Sequence, residues 1–136
     1  MRKLLVAFLL SATLPASALA CSLPAGHIVD AALYYELGSS KLTMSGQQTV
    51  DLVAEQVVGC PVMAIAAGHV DASELETSPR LGQARAEDVR DRLVAAGLQA
   101  QDVLLRDQAF KRPAEPTRSG ISSPRNRRVQ LVVVVL

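Results

Sequence analysis

Residues 67–93 read AGHVDASELETSPRLGQARAEDVRDRL, and the fold turns on how this stretch is parsed. Just before it, Val62-Met63-Ala64-Ile65-Ala66-Ala67 is a short apolar run that Gly68 ends, which predicts a buried strand. That strand delivers His69 and Asp71 to its carboxyl end. A polar loop is expected next. Ser78 then has the chemistry of a helix N-cap, with Pro79 at the first helical position. In the predicted helix Leu81, Arg85, Val89 and Leu93 recur every four residues and share one stripe. Three of these are ordinary core residues and the fourth is an arginine. An arginine there, in a helix that starts beside an aspartate, is read as half of a small-ligand site, with Asp71 as the other half.

Upstream, His27–Leu37 is rich in β-branched and aromatic residues and reads as a first strand, closed by Gly38-Ser39-Ser40. Ser45 with Gln48 fits a capping box, and Val50, Val53, Ala54 and Val57 form the apolar face of the helix behind it. Gly59 and Pro61 stop that helix. Downstream, Gly97 ends the second helix and Val103–Arg106 is a short strand. Residues 107–126 carry Pro113, Pro116 and Pro124 and read as a long loop, which in a compact domain is functional or disordered. Arg127–Leu136 closes the chain as a strand. Strands alternating with helices imply an α/β fold, with helices on one or both faces of a mixed sheet.

The first twenty residues read as a secretory signal peptide. Arg2 and Lys3 precede the apolar run Leu4–Leu10, and Ala18-Leu19-Ala20 offers small residues at a cleavage site. The expected organisation is thus a signal peptide over 1–20, a lead-in over 21–29 and one domain over 30–136. The chain has 14 Lys and Arg against 13 Asp and Glu. Arg2 and Lys3 leave with the signal, so the remainder is close to neutral. That balance, with no Trp, argues against a nucleic-acid partner. Cys21 and Cys60 are the only cysteines and admit two chemistries. They form a disulfide in an oxidising compartment, or Cys21, directly after the cleavage site, carries lipid. A membrane partner is expected only in the second case.

These landmarks, in this order, resemble the OmpA-like C-terminal, peptidoglycan-associating domain family, as in OmpA and peptidoglycan-associated lipoproteins. Tyr35–Leu42 resembles the family's opening strand end. Gly68-His69-Val70-Asp71 resembles Gly-His-Thr-Asp. Leu81-Gly82-Gln83-Ala84-Arg85-Ala86 resembles Leu-Ser-x-x-Arg-Ala, and Asn126-Arg127-Arg128-Val129 matches the closing Asn-Arg-Arg-Val in full. The resemblance implies a βαβαβ-β domain, an α+β sandwich with a mixed four-stranded sheet packed against two main helices. It also implies non-covalent binding of peptidoglycan through the diaminopimelate of its stem peptide. Asp71 would take the ammonium and Arg85 the carboxylate in a bidentate pair. Backbone N–H groups near Ser78 would add anion attraction, and Glu36 with Arg127 or Arg128 would complete the rim. The chain departs from the family at Val70, at Ser78 and at Gly82, and its Asp71–Arg85 interval is one residue short. On the same fold, a structural or protein-interaction module with a degenerate site is the alternative.

Ordinary roles compete for several of these residues. Asp71 is a common turn-capping type. Arg85 has Asp88 three residues on, which would make a weak surface pair. His69 is expected to make a structural hydrogen bond, and Met44 and Met63 are read as core. No metal site, cofactor motif or nucleophile setting stands out, so an enzyme such as a small periplasmic hydrolase is the least supported class.

Overall fold

In the computed structural model, residues 20–136 are described, and the signal-peptide reading falls outside them apart from Ala20. The elements run β1 (Ile28–Tyr34), α1 (Met44–Val57), β2 (Val62–His69), α2 (Ala72–Thr77), α3 (Leu81–Ala95), β3 (Val103–Ala109) and β4 (Arg128–Val135). Single 3₁₀ turns at Ala100–Asp102 and Pro124–Asn126 precede β3 and β4. The four strands form one mixed sheet in the order β1-β4-β2-β3. β4 is antiparallel to both neighbours, whereas β2 and β3 are parallel. The final strand therefore inserts between the first two.

Alternation along the strands decides which face is covered. Val129, Leu131, Val133 and Val135 of β4 are buried, as are Val62, Ala64 and Ala66 of β2, while Met63 and Leu104 point the other way and are exposed. Val50, Val53, Ala54 and Val57 of α1 and Ala86, Val89 and Leu93 of α3 pack against the buried phase. Both main helices thus lie on one face, which narrows the expectation of one or both. Neither methionine is core: Met63 sits on the outward phase, and Met44 opens α1 ahead of its apolar stripe, 77% exposed.

Several local expectations shift. β1 ends at Tyr34 rather than Leu37, and it starts within the expected lead-in. The N-cap of α1 is Thr43, whose hydroxyl accepts from the Gly46 N–H at 3.2 Å, so the Ser45–Gln48 box does not form. β3 extends to Ala109. The largest change follows β2. The expected loop contains a helix, α2, because Asp71 caps it and Glu74 answers in a capping box. Ser78 ends α2 instead of starting α3, and Arg80 stands before α3 with no side-chain cap.

Two glycines bring α3 onto β2. A Cβ on Gly68 would overlap the carbonyl oxygen of Gly82, and one on Gly82 would meet the Gly68 oxygen at 2.9 Å. With no side chain at either position the helix settles against the strand end, which sets the depth at which Arg85 enters the protein. Cys21 and Cys60 are joined in a disulfide, with Cα atoms 4.4 Å apart. It ties the lead-in to the link between α1 and β2.

Candidate functional site

Arg85 is wholly buried and every one of its N–H groups is used. Nε donates to the Ser39 carbonyl at 2.8 Å, Nη1 to the His69 carbonyl at 3.0 Å and Nη2 to the Glu36 carbonyl at 3.2 Å. The remaining two form a fork on Glu74: Nη1 to Oε2 at 2.8 Å and Nη2 to Oε1 at 2.6 Å. The guanidinium lies 5.1 Å from the ring centre of Tyr35, whose hydroxyl donates to the Arg85 carbonyl. Burial raises the Tyr35 phenol well above its usual range, and the Asp88 charge adds to this while that of Arg85 opposes it.

Glu74 is 2% exposed and escaped the sequence reading. Besides the fork, its Oε1 accepts the Gly38 N–H at 2.9 Å and its Oε2 the Asp71 N–H at 3.2 Å. Four donors from three segments therefore converge on one carboxylate. The signal for it was present: Asp71-Ala72-Ser73-Glu74 has capping-box spacing directly after a strand.

Asp71 is also wholly buried, but it does not face Arg85 across an open site. Its Oδ1 accepts from the Ser73 hydroxyl at 2.7 Å and the Glu74 N–H at 2.9 Å. Its Oδ2 accepts from the Ser122 hydroxyl, the Ser123 N–H and Arg127 Nη1 at 2.9 Å. Burial works to raise its pKa, yet the bonds from Ser73, Glu74, Arg127 and Ser123 outweigh this and hold the carboxyl well below the usual range. The two expected partners thus belong to adjacent ion pairs, Asp71–Arg127 and Glu74–Arg85, bridged by the capping box.

The other predicted residues divide. Arg127 is buried and adds a bond from Nε to the Tyr35 carbonyl. Arg128 is the next residue along, so its side chain turns to the opposite phase and donates to the Arg112 carbonyl. Glu36 gives the site its backbone carbonyl, while its carboxylate is exposed and lines a cleft of about 820 Å³ with Tyr35, Thr43, Arg125 and Arg127. Ser78 is exposed; its N–H bonds to the Glu74 carbonyl within α2 and adds nothing to an anion site. His69 serves through its carbonyl, and its buried ring Nδ1 has no partner among the described residues. Burial, then the Arg128 charge, lowers its pKa to about 4.

Comparison with protein families matches the OmpA family over residues 34–127, which take in every side chain of this network. This chain belongs to the OmpA family. Among solved structures it is similar to the OmpA-like domain of FopA1 from Francisella tularensis, at 15% identity and TM-score 0.66, covering 90% of this chain and 92% of that one. The C-terminal domain of Helicobacter pylori MotB matches at 19% and 0.66, over 77% and 84%. A peptidoglycan-associated lipoprotein from Burkholderia pseudomallei matches at 23% and 0.62, over 75% and 88%. At these identities the likeness is one of fold. No curated protein matches. Within the OmpA fold, the carboxyl end of β2 and the first turns of α3 carry the buried ion pairs described above.

Proposed function

We propose that this protein is a non-catalytic peptidoglycan-binding module of the cell envelope. The observation that carries the reading is the socket built for one carboxylate, where the Arg85 fork and the Gly38 and Asp71 N–H groups converge. Three backbone carbonyls hold the guanidinium in place, so the fork is aimed before any ligand arrives. Solved relatives support the ligand class: one is named a peptidoglycan-associated lipoprotein and another a cell wall anchor, from Pseudomonas aeruginosa. Diaminopimelate presents an ammonium and a carboxylate on one carbon. In this reading Arg85 takes the carboxylate, and Asp71 takes the ammonium on Oδ1 in place of its two donors from α2. The neighbouring cleft, with Glu36 and Arg127 on its wall, receives the rest of the stem peptide.

The signal segment and the disulfide support a periplasmic location. A sulfur engaged with Cys60 is unavailable for a thioether, so mass spectrometry of the mature protein is expected to find Cys21 without lipid, two daltons below the dithiol mass.

Co-sedimentation with purified sacculi tests the function. The wild type is expected to pellet, Arg85→Lys and Asp71→Asn to pellet less, and Arg128→Ala, on the opposite face, to pellet as the wild type does. A wild type that stays in the supernatant sinks the reading. That outcome belongs to the second reading, a structural or protein-interaction module. Its support is that Arg85 has no donor left over and that Asp71 holds five donors of its own. Release of soluble muropeptides during the assay would revive a hydrolase.

A further inference from the structure

The carboxylate in the socket is the protein's own. Glu74 fills the fork of Arg85 and takes the Gly38 and Asp71 N–H groups as well. At the same time α2 supplies two of the five donors on Asp71, the Ser73 hydroxyl and the Glu74 N–H. One six-residue helix thus occupies the base and half of the acid that a zwitterion would need. Apart from Glu74, its hold on the body is slight. Only Ala72 and Glu74 of α2 are buried, while Leu75, Glu76 and Thr77 face water. A helix of this length does not persist alone in water, so its place depends on the capping box, the Gly38 and Arg85 bonds to Glu74 and an exposed bond from the Ser119 hydroxyl to Glu76.

We propose that Glu74 is an internal stand-in for the ligand's carboxylate and that α2 is a latch over the binding site. This rests on the peptidoglycan reading above and names how that site is controlled. Ligand enters by exchange: its carboxylate replaces that of Glu74 on Arg85, and α2 unwinds from Asp71. The guanidinium is never left bare, because one bidentate carboxylate replaces another. The same release frees Oδ1 of Asp71 for an ammonium, so acid and base become available in one step. Apparent affinity is then the intrinsic affinity scaled by the open fraction. Removing the stand-in raises affinity.

The test titrates a diaminopimelate-containing muropeptide into the wild type, Glu74→Ala, Glu74→Gln and Glu55→Ala by calorimetry. Glu74→Ala is expected to bind roughly tenfold or more tightly than the wild type. Glu55→Ala removes the same charge from an exposed position on α1, away from the latch, and is expected to match the wild type. Sodium acetate is expected to raise the melting temperature of Glu74→Ala, by refilling the vacated fork, and to leave the wild type unmoved. If Glu74→Ala does not fold, Glu74→Gln carries the comparison, since it keeps the shape and loses the charge. An arm without mutation follows amide exchange in the wild type, where saturating muropeptide is expected to speed exchange over residues 74–77. Equal binding by the wild type and both Glu74 variants, or slower exchange across α2, overturns the latch and leaves peptidoglycan binding standing. No binding by any of the four overturns both.

Discussion

Arg85 survives burial because five acceptors surround it, and the value of its pair with Glu74 is asymmetric. Forming such a pair from water gains little net, whereas removing one member strands the other in a low-dielectric interior. Arg85→Ala is therefore expected to lower stability by about 3–5 kcal/mol in urea unfolding, and Glu74→Leu with Arg85→Met to recover part of that loss. Asp71 gives a pH signature. Its folded carboxyl is held below the unfolded value of 3.8, so its contribution is complete above that pH and is lost as pH falls through the folded value. Asp71→Asn should be about 3 kcal/mol less stable near neutrality and show a shallower loss under acid, followed by melting temperature. His69 acts in a different window. The unfolded ring takes its proton near 6.5 and the folded one only near 4, so acidification between those values favours unfolding. The effect is on the order of 2–3 kcal/mol, and His69→Gln is expected to flatten the stability profile there.

At the scale of elements, the contact between β2 and α3 is set by glycine. Because a Cβ on Gly68 overlaps backbone rather than a movable side chain, Gly68→Ala is expected to cost about 3 kcal/mol or more, read by denaturant unfolding. A shift of α3 would also withdraw Arg85 from its three carbonyls. Most elements were legible because their signals are local. A β-prone apolar run announced β4, the four-residue stripe announced α3, and Gly97 closed it. The misreading at Ser78 has an equally local cause. Two capping patterns compete between Asp71 and Pro79, and the Asp71–Glu74 box takes precedence because it also satisfies the first N–H groups after β2. Once α2 forms, Ser78 is spent on its last turn.

For the whole molecule, the disulfide joins a short lead-in to the body across 39 residues of chain. Closing a loop of that length stabilises by about 2–4 kcal/mol through the unfolded state. Reductant, or Cys60→Ser, is expected to lower the melting temperature accordingly, while the core and the Arg85 network remain. The sequence by itself determined the order of the strands and the two main helices, the mixed sheet and the inward stripe that carries Arg85, because those depend on periodicity and on turn chemistry within a few residues. It also marked Asp71 and Arg85 as the residues to watch. Only the tertiary structure decided their partners. Glu74 lies three residues from Asp71 and Arg127 lies fifty-six away, yet each closes an ion pair in the same buried cluster. Which acid meets which base inside a protein is set by where helices dock, and at the end of β2 that docking is governed by two glycines and one short helix.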